Sequence, residues 1–176
     1  MVRREDLPYR DCVGIAVFNR QGQVFIARRL QEGDPEESAE HGSPWQMPQG
    51  GIDKGEAPEA TAVRELYEET SIRSVQAIGS IPDWIYYDIP DDIMAEGGLK
   101  KKYRGQRQRW FAYLFVGDEA EINVTTPGGG HEAEFDRWRW EELARLPELI
   151  VPFKRQAYEQ VCAGFAHLPA RLREGR

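Results

Sequence analysis

The stretch GGIDKGEAPEATAVRELYEETSI, residues 50–72, decides how the rest of the chain is read. It opens as a loop with Gly50, Gly51 and Gly55. Pro58 then suits the first turn of a helix and Glu59 its positive end. Ala57, at the capping position, is a poor choice, since a Ser or Asp there typically adds ~1 kcal/mol. On a helical wheel of about 100° per residue, Ala60, Val63, Leu66, Tyr67 and Thr70 gather on one side. Glu65, Glu68 and Glu69 gather roughly opposite, at i, i+3 and i+4. Like charges so spaced repel by roughly 0.2–0.5 kcal/mol per pair on an open helix, and no lysine is interleaved to relieve them. Most charged helix faces simply meet water. Here a glycine-rich loop feeds the helix, so backbone can approach a ligand beside the acids. Hard divalent cations take oxygen ligands, and magnesium joins carboxylates to substrate phosphates. A cation cluster would turn the repulsion into attraction, and that is the expectation carried forward.

Outward from this stretch, composition sets the frame. With 176 residues, 40% hydrophobic and 30% charged, the chain has the make-up of an ordinary globular protein and is expected to form a single domain, 1–176. No uncharged apolar run is long enough to cross a bilayer, so no membrane partner is expected. The start, MVRREDLPYRD, lacks the apolar region of a secretory signal. Cys12 and Cys162 lie far apart and match no metal or redox spacing, as expected of reduced thiols in a cytoplasmic protein. The net charge of −7 argues against broad adhesion to nucleic acid, but the sign is uneven. QEGDPEESAEHGSP (31–44) reads as an acidic solvated loop. GLKKKYRGQRQRWF (98–111) holds six cations and no acid. A basic run is most often a solvated face, but Tyr103, Trp110 and Phe111 interleave with this one, as at a phosphate- or base-binding edge.

The chain alternates strands and helices. CVGIAVF (12–18) and QVFIARR (23–29) flank the turn NRQG and make a hairpin. Further strands are expected around 72–80, 83–89, 107–116 and 134–140. PFKRQAYEQVCAGFAHL (152–168) has helical periodicity, with Phe153, Ala157, Val161 and Phe165 on its apolar side. Residues 89–105 read as a long, mobile, basic surface loop.

The stretch 50–72 resembles the box of the Nudix hydrolases: Gly, five residues, Glu, seven residues, then Arg-Glu-hydrophobe-x-Glu-Glu. Those positions are Gly50, Glu56, Arg64, Glu65, Leu66, Glu68 and Glu69. One position departs, because Ser71 stands where the family usually has Gly. A left-handed helix end costs a Ser more than a Gly. YRDCVGIAVFNRQGQVFIARR (9–29), WQMPQGGID (45–53), YRGQRQRWF (103–111), EFDRWRW (134–140) and VPFKRQAY (151–158) resemble the bacterial RNA pyrophosphohydrolases of that family. This branch is also described as dinucleoside polyphosphate hydrolases.

The resemblance implies a Nudix fold, an α/β (α+β) arrangement with a mixed sheet between helices and a loop-helix-loop motif. It implies hydrolysis of a pyrophosphate bond in a nucleotide 5′-polyphosphate, either the 5′-triphosphate end of RNA or a diadenosine polyphosphate. It further implies Mg2+, or Mn2+ or another divalent cation, with more than one ion per site. Glu65 and Glu69 would bind metal, with Glu68 a further ligand or the base. The Gly50 carbonyl would be a backbone ligand and Glu134 an additional carboxylate, although a lone Glu after TPGGGH is otherwise an exposed loop acid. Arg64 would orient the glutamates, and an i, i+4 ion pair to Glu68 explains much of it as well. Arg10, Arg28, Gln106 and Lys154 match positions that touch phosphates or nearby parts of the nucleotide. Phe153 matches a base-stacking aromatic, which periodicity alone does not separate from core packing. Trp84, Tyr86 and Tyr87 are expected to alternate across a strand, and His41, His131 and His167 to be ordinary surface residues. Two other readings compete: a Nudix enzyme for ADP-ribose or a damaged nucleoside triphosphate, and a non-catalytic nucleotide-binding regulator. Such regulators usually lose acids from the comb, and all three are present here.

Overall fold

The computed structural model describes residues 3–30, 45–95 and 102–176. The acidic stretch 31–44 and the middle of the basic stretch, 96–101, lie outside the described residues. Strand β1 (Tyr9–Phe18) is the hub of a mixed sheet. Its C-terminal end pairs antiparallel with β2 (Val24–Arg29) through a turn in which Asn19 Oδ1 accepts from Gln23 N at 2.9 Å, with Gly22 at a positive φ of 77°. Further along the chain, β3 (Trp45–Gln46) pairs with β2, and β4 (Gln49–Gly51) pairs antiparallel with the N-terminal part of β1. On its other edge β1 runs parallel to β6 (Gly105–Phe115), in a register that sets Tyr9 opposite Gly105 and Arg10 opposite Gln106. β5 (Val75–Asp88) and β7 (Phe135–Glu141) close the two sides, against β6 and β2 respectively.

The side-chain alternation of β1 divides the interior in two. Val13, Ile15 and Val17 pack with Ala62, Leu66 and Ile72 from helix α1 (Pro58–Thr70) and the turn after it. Ala16 and Phe18 pack on the opposite face with Trp110, Tyr158, Val161 and Phe165. The last three belong to helix α4 (Arg155–Phe165), which follows the short helices α2 (Asp91–Ala95) and α3 (Leu146–Leu149) and precedes α5 (Leu168–Arg173). Gly14 makes this second layer possible, since a β-carbon there would run into the Trp110 indole. The expected layering, a mixed sheet between helices, is what forms. Among the described residues no helix is long and apolar enough to cross a membrane.

Four local expectations need correction. Residues 89–105, expected to be one long loop, include helix α2 (Asp91–Ala95), and Gly105 already opens β6. The two strands expected at 72–80 and 83–89 are one strand, β5, whose pairing with β6 shifts between Ala77 and Gly79 and again between Ile81 and Ile85. Pro82 lies inside the second irregularity and has no N–H to give a ladder. The helix expected over 152–168 begins instead with a 3-10 turn at Pro152–Lys154, and a separate helix starts at Leu168 with Pro169 in its first turn. The wheel of α1 is also rotated. Val63 is 50% exposed, whereas Thr61, Ala62, Leu66, Thr70 and Glu69 are buried. Helix α1 leans on β1 and β4 along the line Ala62–Leu66–Glu69, which turns Glu69 inward.

Candidate active site

Strand β4 seats the carboxylate comb. Gly50 has no side chain because the Glu65 carboxyl group occupies the place a β-carbon would take. Gly51 likewise lies under the Arg10 guanidinium. The two glycines thus let an acid from α1 and a cation from β1 press against the same three residues of backbone. No side chain caps α1 at Ala57, as expected, but Thr61 Oγ1 donates to the Ala57 carbonyl at 3.1 Å. At its other end Ser71 takes the left-handed conformation (φ 65°) despite its Cβ. Its hydroxyl compensates by donating to the Asn123 carbonyl at 3.1 Å and accepting from Gly128 N at 2.8 Å. The departure from Gly therefore fastens the end of α1 to the loop that leads to Glu134.

Arg64 does more than form the i, i+4 pair with Glu68. Its Nε donates to Glu56 at 3.1 Å, Nη1 to Glu65 at 2.8 Å and to Glu68 at 3.1 Å, and Nη2 to the Gly51 carbonyl at 3.1 Å. Burial opposes its charge, but Glu56 and Glu65 more than offset this and hold the guanidinium above its ordinary pKa. Among the described residues no three acids, imidazoles or thiolates stand together as a finished metal cage. The guanidinium binds Glu65 and Glu68 instead.

Glu69 is the anomaly. It is 3% exposed, and its carboxylate accepts one long hydrogen bond, from Gln49 N at 3.4 Å. Burial, then the neighbouring Glu134 and Glu65 charges, push its pKa well above the ordinary carboxylate value. Glu65 is raised as well, by burial first, with Glu68 and Glu134 adding to it against Arg64. Glu134, itself exposed, thus bears on both acids from outside the helix; its carbonyl is tied to Leu30 N at 2.9 Å. A buried carboxylate with so little to bond, facing two more, is the donor chemistry of a hard divalent cation. His131 Nε2 comes within 3.8 Å of Glu68, so one of the three histidines expected on the surface stands beside the comb.

On the other side of β4 lies a cavity of about 380 Å³. Arg10, Gln106, Phe153 and Lys154, from three separate segments, all line it. Arg28 does not: its guanidinium is engaged with Asp136, with Nε donating at 2.8 Å, and its neighbour Arg29 lines the cavity instead. Phe153 packs on Tyr87 with ring centroids 5.9 Å apart. Lys154 is 6% exposed, with Nζ 5.3 Å from the Tyr87 ring centroid. Burial, and then the positive charge of Arg29, lower its pKa to about 7, against the pull of Cys12 and Glu69. Sequence reasoning missed Tyr87, Gln49 and Arg29 as lining residues, whereas Tyr103, read as part of a binding edge, does line the cavity. Tyr87 and Tyr86 do alternate across β5, one buried and one 46% exposed, and the buried one faces the cavity. The only signal for Gln49 was its place beside the first glycine of the box.

The model of the NUDIX domain matches residues 8–161. The chain is 59% identical over 166 residues to an RNA pyrophosphohydrolase of Rhizobium meliloti, covering 93% of this chain and 97% of that one. It is 55% identical over 169 residues to an RNA pyrophosphohydrolase of Agrobacterium fabrum, covering 95% and 97%. Among solved structures it is similar to the dihydroneopterin triphosphate pyrophosphohydrolase of E. coli, with a TM-score of 0.60 and 18% identity over 87% of this chain and 96% of that one. The MutT protein of Methanosarcina mazei Go1 gives 0.59 at 17% identity, covering 88% and 94%. At such identities the structural likeness speaks for the fold alone. The family match covers every one of the comb, the glycine loop, Glu134 and the cavity wall, and the chain belongs to the Nudix family of hydrolases.

Proposed function

We propose that this hydrolase removes pyrophosphate from the 5′-triphosphate end of RNA, leaving a 5′-monophosphate, in the cytoplasm and at an early step of RNA decay. One observation carries the reading: β4 holds a carboxylate comb on one side and a cation-lined aromatic cavity on the other. A polyphosphate lying across it has its anhydride beside the acids and its nucleoside end in the cavity. The names of the relatives above support the RNA end in particular. Diadenosine polyphosphates carry the same polyphosphate chain and are expected to enter the same site.

Glu65, Glu69, Glu134, the Gly50 carbonyl and, in part, Glu68 would hold the divalent cations that Nudix hydrolases use, magnesium or manganese, with more than one per site. When bound, such ions neutralise polyphosphate charge, acidify water and hold the displacement in line. The remaining steps belong to the protein's own groups. Arg64 orients Glu65 and Glu68 through its shared guanidinium. Glu68 is left more open than Glu65, with side-chain exposures of 26% and 14%, which supports it as a further metal ligand or as the carboxylate that accepts or relays the proton of the attacking water. Arg10 and Lys154 meet phosphate oxygens, Phe153 with Tyr87 stacks a base, and Gln106 donates to the nucleotide. Arg28 would meet substrate only by leaving Asp136. The test is turnover of 5′-triphosphorylated RNA and of diadenosine tetraphosphate by one preparation, side by side. Inertness toward both, with cleavage of ADP-ribose or a nucleoside triphosphate, would sink the proposal.

A further inference from the structure

Behind the cavity, on β6, lies a side-chain amide that touches no solvent. Gln108 is 1% exposed, and its Oε1 accepts from Trp110 Nε1 at 3.2 Å. An indole N–H can only donate. That bond therefore decides which end of the Gln108 amide is oxygen, a matter otherwise open for a glutamine. Nε2 faces the other way and donates twice, to Gln49 Oε1 at 3.0 Å and to Gln106 Oε1 at 3.1 Å. Both outer glutamines line the cavity. Each has its oxygen bonded inward, which sets its amide NH2 group on the side away from Gln108. Of the other polar lining, Arg10, Arg29 and charged Lys154 offer donors alone, while the Tyr87 and Tyr103 hydroxyls can act either way.

We propose that Gln108, oriented by Trp110, is a positioning residue that biases the hydrogen-bond polarity of this cavity toward donors, so that it favours a group presenting acceptors. Phosphate oxygens fit that description, and so does a base edge bearing two acceptors, such as O6 and N7 of guanine. Gln108 acts through Gln49 and Gln106. Were its amide reversed, two N–H groups would confront each other at Trp110 and two oxygens at each outer glutamine. The inference rests on the cavity being the substrate site proposed above. Its readout is binding of simple probes, which is independent of whether RNA or a dinucleotide is cleaved.

Two variants separate polarity from charge. Gln108→Met keeps length, is neutral and releases the outer amides. Gln108→Glu still accepts from Trp110 but offers oxygen where Nε2 stood, so Gln49 and Gln106 must turn and show oxygens to the cavity. Affinity for inorganic tripolyphosphate and for guanosine is measured at one fixed magnesium concentration, with KM and kcat alongside. Losing or inverting a neutral hydrogen bond predicts a fall in affinity of about threefold for Gln108→Met and about tenfold or more for Gln108→Glu, with KM rising in step and kcat within about twofold. A loss seen with tripolyphosphate assigns the acceptors to phosphate, and one seen with guanosine assigns them to the base. Unchanged affinity for both probes in folded variants overturns the proposal. So does a loss confined to Gln108→Glu, which would be plain charge repulsion. Should neither variant fold, the parent still decides: the Gln106 side-chain amide resonances must move on adding one of the probes, and signals that stay put refute it.

Discussion

Glu69→Gln asks the structure to defend its oddest feature. The substitution keeps the shape of the side chain and removes its charge. In the metal-free protein that charge is a burden: it is 3% exposed, its one bond is 3.4 Å long, and Glu65 sits one turn away. Relief of an i, i+4 repulsion is worth roughly 0.2–0.5 kcal/mol even on an open helix. Freeing a buried ionised group from poor solvation adds about 1–3 kcal/mol. For a chain of this length each kcal/mol moves the midpoint by about 2–4 °C. In chelator, Glu69→Gln should therefore melt roughly 2–14 °C above the parent. Saturating magnesium reverses the order, since a ligand at about 1,000 times its Kd stabilises the native state by about 4.1 kcal/mol, more than the variant gains without metal, and the variant has lost a ligand. Thermal melts with and without magnesium, beside turnover of triphosphorylated RNA, give a crossing pair of curves and a rate lowered more than about 100-fold, beyond the usual loss for an outer-shell partner. A metal-free variant that melts below the parent, or one that turns over normally at moderate magnesium, would refute the reasoning.

Lys154 titrates near about 7, so affinity for a polyphosphate should be highest below that pH and fall as it is passed; Lys154→Met should flatten this slope and raise KM about tenfold, read from KM against pH. Gly50→Ala places a methyl group where the Glu65 carboxyl lies, and is expected to abolish turnover while circular dichroism stays that of the parent. Ser71→Gly removes a left-handed cost of roughly 1–2 kcal/mol but also two hydroxyl bonds of about 0.5–1.5 kcal/mol each; its melting point should stay close to the parent's while kcat drops as the loop to Glu134 loosens. Replacing Lys100, Lys101 and Lys102 by Gln should weaken binding of triphosphorylated RNA and flatten its salt dependence, with diadenosine tetraphosphate much less affected; equal losses on both would show that this segment closes over the site itself.

The comb and its loop were legible because they are contiguous: glycines, proline and acids fall within 23 residues, and helical spacing alone brings Glu65, Glu68 and Glu69 together. The hairpin was equally plain, from two apolar runs around NRQG. The rotation of α1 was not, because a wheel weighs side chains by polarity. Here packing against β1 and β4 buries Glu69 and leaves Val63 half exposed. Tyr87, Gln49 and Arg29 went unread because they meet only through strand register, which no local pattern states. Phe153 was ambiguous for a different reason: a 3-10 turn precedes the helix, so helical periodicity did not apply to it.

The register itself has a practical consequence for how this enzyme tolerates change. β6 is pinned residue for residue, from Tyr9 opposite Gly105 to Phe18 opposite Leu114, and again by Asp88 opposite Gly105. Gly105 can be nothing larger, because a β-carbon there would strike the Tyr87 carbonyl. Gln106 is therefore located by strands before and behind it, and the chain that arrives from α2 has no say in its position. A change of length between α2 and β6 would therefore leave Gln106 in register, and its effect on the cavity would fall on Ile93 and Tyr103, lining residues outside that register. Substitutions can thus retune the rim of the cavity at those two positions while β4 keeps its alignment with β1.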